Sequence, residues 1–269
     1  MDLGLNDETA VVIGGASGIG LATAECFLRE GARVEIWDRA PAESFELPAR
    51  SASFSHALRY RQLDVTDQQA CFDRINEAVS ASGTVHHAVL TAAIGSGKFG
   101  FPYTNLNAAD WPRILEINIM GMVHVAHSIG PVLRDQGHGT MTFLGSIAGQ
   151  IGSQTDPPYS ASKAANINFM QCIAKDLAPF GIRVNLVNPG MVQTPLNRSV
   201  WQAWHDGAPP EQRRSYEEWA GDKVKRMVPL GRWQTPDDVA DMIVFLSSRR
   251  ANNVTGQCIN VDGGFVMRG

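Results

Sequence analysis

The sequence has few cysteines, no long apolar run and no signal segment. Its four cysteines are Cys26, Cys71, Cys172 and Cys258. They stand far apart, without the CxxC pairs or Cys/His spacing of a disulfide framework or a zinc site, so we expect reduced, mostly buried thiols. Apolar runs such as Ala10–Ile13 are far shorter than the roughly 18 residues that a membrane span needs. These absences predict a cytoplasmic protein without a membrane partner.

The sequence also has no excess of basic residues. Lysine and arginine total 23 against 27 aspartate and glutamate residues, a formal net charge of −4. No basic field is therefore expected to hold nucleic acid or an anionic bilayer. With 44% hydrophobic residues the chain is too apolar for intrinsic disorder, and its 269 residues suffice for one large α/β domain or two small ones.

Short β-rich runs alternate with segments long enough for helices. The predicted strands are Thr9–Ile13, Ala32–Trp37, Tyr60–Asp64, Val85–Thr91, Gly139–Leu144, Ile182–Asn188 and Gln257–Val261. The predicted helices are Gly18–Glu30, one capped by Thr66 with Gln69 completing a capping box, Asp110–Arg134, Tyr159 to about Phe180, and Asp237–Ser247 behind Thr235 and Pro236. This order predicts a doubly wound, Rossmann-type α/β fold, a mostly parallel seven-stranded sheet between two helical layers.

The alternation fails between Met191 and Val228, where a Trp-rich and charge-rich insert replaces another strand and helix. We expect residues 191–228 to form an irregular lid on a single domain of residues 1–269.

A glycine-rich turn, Gly14-Gly15-Ala16-Ser17-Gly18-Ile19-Gly20, follows the first strand and opens a helix. Glycines there permit close backbone approach, and the helix N-terminus favours a pyrophosphate. Asp38 ends the second strand, where a carboxylate can accept both ribose hydroxyls of an adenosine and repel a 2′-phosphate. NAD is thus favoured over NADP, although Arg39 could accommodate a phosphate. Asp64-Val65 is either an adenine contact or a turn.

A second constellation has the residue types of proton-transfer chemistry. Tyr159 and Lys163 are four residues apart on one predicted helix face, with Ser146 and Asn118 upstream. A phenol of pKa about 10 needs a depression worth roughly 4 kcal/mol to act as a base near pH 7. An ammonium about 4 Å away supplies a stabilisation of that order at an effective dielectric of 20. We therefore expect Lys163, with a positive nicotinamide ring, to lower the tyrosine pKa.

Together these motifs resemble the short-chain dehydrogenase/reductase family in its single-domain form, over nearly the whole chain. The matching residues are Gly14, Gly18, Ile19, Gly20, Asp38, Asp64-Val65, Asn118, Ser146, Tyr159, Lys163, Asn188-Pro189-Gly190, Thr194, Thr255-Gly256 and Val261-Asp262-Gly263-Gly264.

The resemblance implies a role for each member of the catalytic set. It makes Tyr159 the acid/base, has Ser146 orient the substrate oxygen, and has Lys163 hold the ribose and tune the tyrosine. It also has Asn118 anchor a proton-relay water. Further implied cofactor contacts are Ser17, Thr91, Ala92, Ala93, Pro189, Gly190, Val192 and Thr194. The family commonly forms tetramers, so we expect a homotetramer or homodimer that buries the tail at 265–269.

The sequence departs from the family at two neighbouring places. The usual Thr-Gly start of the turn is Ile13-Gly14, and the usual Asn-Asn-Ala-Gly is Thr91-Ala92-Ala93-Ile94. In the family, the threonine hydroxyl bonds to that neighbouring segment. We expect Ile13 to pack against Ala92 and Ala93, so that burial replaces the hydrogen bond.

The expected function is hydride transfer between NAD(H) and a secondary alcohol or its ketone. Aromatic residues in the insert favour an apolar or aromatic substrate, contacted by Ile147, Gln150, Trp201 and Trp204. The two tryptophans alternatively only pin a lid helix, in which case sugar, polyol or cis-diol substrates stay open. A non-catalytic dinucleotide-binding regulator would be expected to lack the catalytic set, and epimerase relatives need a larger substrate domain. His124 and His127 lack a third ligand, so no metal is expected.

Overall fold

The computed structural model describes residues 2–153 and 155–267. Within them, seven strands form one sheet in the order β3-β2-β1-β4-β5-β6-β7, and every neighbouring pair is parallel. The strands are β1 (Thr9–Ile13), β2 (Arg33–Asp38), β3 (Leu58–Gln62), β4 (His87–Leu90), β5 (Gly139–Leu144), β6 (Ile182–Pro189) and β7 (Cys258–Val261). The predicted doubly wound α/β fold is confirmed.

Helices cover both faces of this sheet. They are α1 (Gly18–Arg29), α2 (Gln68–Ser82), α3 (Pro112–Leu115), α4 (Gly121–Gln136), α5 (Pro157–Leu177), α6 (Pro195–Gly207), α7 (Tyr216–Met227) and α8 (Pro236–Ser247). Side chains of α2, α4 and α5 form one hydrophobic cluster against the sheet, and those of α1 and α8 form the other. Because both faces are covered, all five residues of β1 are buried. No helix of the described residues is long and apolar enough to cross a membrane.

Several local predictions are corrected by the structure. The third strand ends at Gln62 because its pairing with β2 runs from Leu58 to Gln62, which leaves Asp64 in the following loop. Thr66 does not cap α2. Instead, the Asp67 carboxylate accepts from the N–H of Ala70 at 3.0 Å, while the Thr66 hydroxyl donates to Asp64. By contrast, the predicted cap of α8 is confirmed, since Thr235 accepts from the N–H of Asp238.

The insert at 191–228 contains helices α6 and α7, so the expectation of irregular structure was wrong. These helices pack on each other through a small aromatic cluster of Tyr216, Trp219, Ala220, Val200, Trp201, Trp204 and Trp233. Their aromatic rings lie against one another at centroid distances of about 6 Å. The insert is therefore a helical hairpin with its own apolar contacts.

The cysteines are free thiols, but they are less buried than expected. Cys26 and Cys71 are buried, whereas Cys258 is half-buried and Cys172 is exposed on α5. The His124 side chain hydrogen-bonds to a backbone carbonyl oxygen of the loop before α2. The described residues contain no group of three or more side chains suited to hold a metal ion. Of the tail at 265–269, residues 268 and 269 lie outside the described residues.

Candidate active site

A cavity of about 850 Å³ opens at the carboxyl ends of the parallel strands. It lies where the strand order reverses between β1 and β4, which is the usual binding position in an open α/β sheet. Predicted site residues on its wall are Gly14, Ser17, Gly18, Ile19, Gly20, Asp38, Arg39, Asp64, Val65, Thr91, Ala92, Ala93, Ser146, Ile147, Tyr159, Lys163, Pro189, Gly190, Val192 and Thr194. The topology therefore brings most of the predicted residues together.

The glycine turn between β1 and α1 is packed tightly against the end of β4. Gly14 has φ +82°, and a Cβ on it would lie 2.5 Å from the backbone nitrogen of Ala92, so only glycine fits. The Thr91 hydroxyl donates to the Ile13 carbonyl at 2.7 Å and lies 3.1 Å from the Gly14 carbonyl oxygen. Ile13 is buried as expected, but burial does not replace the hydrogen bond. Instead, Thr91, directly after the neighbouring strand β4, supplies a hydroxyl to the turn.

The N-terminus of α1 faces the cavity next to this turn. Ser17 precedes the helix with an extended backbone, and its side chain makes no capping hydrogen bond in the described structure. The first N–H groups of the helix therefore remain for a ligand, and the helix dipole favours an anion there. These features fit the pyrophosphate of a dinucleotide.

The cavity wall near the ends of β2 and β3 contains two carboxylates with different surroundings. Asp38 accepts from the N–H groups of Ala16 at 3.0 Å and Ala40 at 3.1 Å, which fix the carboxylate at the end of β2. Asp64 accepts from both the N–H and the hydroxyl of Thr66, and these bonds lower its pKa. Asp64 is thus a turn residue that also lines the cavity, so the two sequence interpretations are compatible.

Ser146, Tyr159 and Lys163 meet at the opposite end of the cavity. Ser146 follows β5, and its N–H donates to the Asn188 side chain at 2.9 Å. Tyr159 lies in the first turn of α5, where Asp156 caps the helix. Lys163 lies one turn further along and is 1% exposed, and its Nζ donates to the Leu144 carbonyl at 2.8 Å.

Burial dominates the electrostatics of the tyrosine in the chain without a cofactor. Burial raises the pKa of Tyr159 to about 12, and a hydrogen bond with Ser146 only partly opposes this increase. Burial also lowers the pKa of Lys163 to about 8. The lysine Nζ is 5.5 Å from the centroid of the tyrosine ring and donates to a carbonyl. Its effect on the tyrosine pKa together with a nicotinamide ring stays a prediction. The chain alone keeps this phenol protonated.

Asn118 does not line the cavity. It is fully buried in a π-helical turn, Glu116–Met120, between α3 and α4. Its side chain bonds to the N–H and carbonyl of Ile94 and to the Ser162 hydroxyl, and its own carbonyl accepts from Asn166 at 2.9 Å. Asn118 therefore fastens the loop after β4 to α5, and the relay role stays a prediction.

Three predicted substrate contacts are absent from the cavity wall. Gln150 donates to Asn260 at 2.9 Å, which ties the loop after β5 to β7. Trp201 donates to the Arg214 carbonyl at 3.1 Å, and Trp204 packs on Trp219. The two tryptophans hold α6 to α7 within the insert, so they pin a lid helix to another lid helix and not to the body of the domain.

The residues by which the two lid helices reach the cavity were missed. They are Leu196, Asn197 and Val200 of α6, with Trp219, Lys223 and Met227 of α7. The α7 residues recur every four positions, so they share one helix face, and that spacing could have identified them. Phe99, Phe101 and Ile151 complete the apolar wall from neighbouring loops.

Comparisons with known proteins agree along the whole chain. A family model described as enoyl-(acyl carrier protein) reductase matches residues 14–266. The chain is 30% identical to a 3-oxoacyl-[acyl-carrier-protein] reductase of Thermotoga maritima, over 98% of this chain and 99% of the relative. It is 32% identical to a galactitol 2-dehydrogenase of Rhizobium johnstonii, over 97% and 96%. The solved aldohexose dehydrogenase of Thermoplasma acidophilum superposes with a TM-score of 0.84 at 26% identity, over 100% and 98%.

Proposed function

The chain belongs to the short-chain dehydrogenase/reductase family of oxidoreductases, and we propose that it transfers a hydride between NAD(H) and a secondary alcohol or its ketone. The observation that carries this proposal is the meeting of Ser146, Tyr159 and Lys163 on one cavity with the glycine turn. A regulator that only binds a dinucleotide would have no use for this set.

NAD is the proposed cofactor, with NADP the less favoured alternative. The uncapped N-terminus of α1 would hold the pyrophosphate, and Asp38 would accept the ribose hydroxyls. A 2′-phosphate would lie against the Asp38 carboxylate, a like-charge contact that disfavours NADP. Pro189, Gly190, Val192 and Thr194 are the proposed contacts of the carboxamide.

Tyr159 is the proposed acid and base, with Ser146 orienting the substrate oxygen. In oxidation, the alcohol proton passes to the tyrosine oxygen while the hydrogen on the carbinol carbon leaves with its electron pair. In reduction, the same phenol gives its proton to the ketone oxygen. Because the chain alone keeps the phenol protonated, it is ready for reduction. Bound NAD supplies the hydride acceptor and a positive ring that favours the phenolate needed for oxidation.

An apolar or aromatic substrate is supported by the side chains next to the catalytic set. Phe99, Ile147, Ile151, Leu196 and Val200 all line this part of the cavity. The second candidate is a sugar, polyol or cis-diol, which the names of the galactitol and aldohexose relatives favour.

The proposed assembly is a cytoplasmic homotetramer or homodimer. Met120 and Phe180, which adjoin α4 and α5, are each 46% exposed, and such apolar surface supports self-association. Light scattering on the purified protein would give the number of subunits directly.

The test of the function is NADH formation with a panel of secondary alcohols, cis-diols, sterols and sugar acids. We expect turnover that disappears in Tyr159→Phe, because phenylalanine keeps the ring and removes the group that exchanges the proton. Faster turnover of small polyols than of bulky apolar alcohols would contradict the apolar substrate. A protein that binds NADH but oxidises no alcohol and reduces no ketone would favour the regulator.

A further inference from the structure

Lys223 places an ammonium group on the apolar lid wall of the cavity. It lies on α7, on the same helix face as Trp219 and Met227, and all three line the cavity. Its Nζ lies 3.7 Å from the centroid of the Trp219 ring, so the lysine is held over the indole face. This contact holds the ammonium group against an aromatic residue of the cavity wall, where the lysine is half-buried.

Among the residues that the structure describes, Lys223 has neither an ion pair nor a hydrogen bond, and its ammonium group lies over the indole ring. Arg214 of the insert differs, since it pairs with Asp222. Burial lowers the pKa of Lys223 to about 8, and the positive charge of Arg226 contributes to the decrease. The lid therefore carries a partly desolvated cation that the indole ring stabilises but that no carboxylate of the described residues pairs with.

The groups opposite the lid do not supply the missing anion. Outside the lid, apolar side chains on the cavity wall include Phe99, Phe101, Ile147 and Ile151. The carboxylate of Asp156 also borders the cavity, but it accepts from the N–H groups of Ser96 and Tyr159. A ligand anion is the partner that the ammonium lacks.

We propose that the substrate is an apolar secondary alcohol or ketone that also carries a carboxylate, and that Lys223 binds this carboxylate. The substrate oxygen would lie at Ser146 and Tyr159, with the apolar body between the two polar ends. One ammonium matches one monoanion, which favours a carboxylate over a doubly charged phosphate ester. The carboxylate is unchanged in the reaction, so the transfer of hydride and proton stays as described. This inference deepens the proposed function and rests on it.

The test compares acids with their neutral primary amides, which have nearly the same shape. Suitable pairs are 3-hydroxybutanoate, 5-hydroxyhexanoate and 4-(1-hydroxyethyl)benzoate, each with its amide, so that the distance between the two polar groups varies. We expect wild-type kcat/KM to favour the acid of the best pair by about tenfold to a hundredfold, the range for a hydrogen bond to a charged group. Lys223→Met should remove that preference, and Lys223→Arg should keep most of it.

Lys225→Met is the matched control, because Lys225 is an exposed lysine of the same helix that does not line the cavity. It should leave the acid preference unchanged. Equal kcat/KM for acid and amide in every pair, or a preference that survives Lys223→Met, would overturn the inference while the oxidoreductase function stands.

Binding provides a measurement that does not need turnover. Calorimetry with 4-acetylbenzoate and 4-acetylbenzamide, in the presence of NADH, should show tighter binding of the acid to wild type and equal binding to Lys223→Met. Failure to oxidise or reduce any compound, together with that binding pattern, would contradict the proposed function and support the anion site. Equal binding of acid and amide to wild type would overturn the anion site.

Discussion

Replacing Thr91 with valine should weaken the cofactor turn, because valine keeps the shape of threonine and removes its hydroxyl. That hydroxyl is buried between the carbonyls of Ile13 and Gly14. The Ile13 carbonyl keeps a partner, since the N–H of residue 91 also donates to it at 2.8 Å. The Gly14 carbonyl loses its hydrogen bond from the hydroxyl.

The expected magnitude follows from this difference between the two carbonyls. An unsatisfied buried acceptor costs about 1–3 kcal/mol, and water from the adjoining cavity reduces the loss towards the lower end. We therefore expect a loss of about 1 kcal/mol, which lowers Tm by about 2–4 °C in a protein of this size. NADH affinity should fall as well, because the same turn faces the pyrophosphate.

Thermal denaturation followed by circular dichroism, with a tryptophan-fluorescence titration of NADH, measures both effects. Thr91→Ser keeps the hydroxyl and should lose less stability than Thr91→Val. Adding Ile13→Thr to Thr91→Val should restore part of the loss, since a hydroxyl returns to the turn from the other strand. A double-mutant cycle should therefore give a favourable coupling of about 0.5–1 kcal/mol. If Thr91→Val has the same Tm as wild type and binds NADH equally well, the Thr91 hydroxyl does not replace the missing family threonine.

Two further predictions concern charges in the cavity. Asp38→Asn should lower the preference for NAD over NADP, measured as kcat/KM, at least about tenfold. The reason is that the substitution removes the like-charge contact with a 2′-phosphate. A wild type that already prefers NADPH would contradict this prediction. Lys163→Met should abolish turnover yet raise Tm at pH 7, since a fall in pKa from 10.5 to about 8 makes the buried ammonium cost about 3 kcal/mol. The unfolded chain binds the extra proton between about pH 8 and 10.5, so wild-type stability should rise there and the Tm difference should narrow. If the Tm difference between wild type and Lys163→Met does not change with pH, the buried ammonium is not its cause.

The sheet and the catalytic set were predictable because their signals are local. β1 reads as an apolar run, since helices bury the strand from both sides. The glycine turn, Ser146 and the Tyr159–Lys163 spacing lie directly at strand or helix ends, so the parallel topology alone brings them to one edge. Their meeting in the cavity required no knowledge of side-chain packing.

Other features depend on which segments meet in space. The choice between Thr66 and Asp67 as the helix cap depends on where α2 begins, and both residue types cap helices well. The spacing of Trp201 and Trp204 places them on one helix face, but it does not indicate that this face packs against α7. The role of Thr91 emerges only from the pairing of β4 with β1.

The pKa of Tyr159 is the clearest case of a quantity that sequence spacing did not predict. Four residues along a helix place Lys163 on the same face, but the direction of its long side chain depends on Leu144, a residue of β5. In the chain without a cofactor, burial then dominates and raises the tyrosine pKa.

The most direct test of the account is transfer of deuterium from the carbinol carbon of a deuterated secondary alcohol to NAD. The alcohol is the best substrate of the panel, and mass spectrometry of the reduced cofactor is the readout. We expect one deuterium in the NADH formed by wild type and none formed by Tyr159→Phe in the same time. Reduced cofactor without deuterium, or equal transfer by Tyr159→Phe, would contradict hydride transfer with Tyr159 as the acid and base.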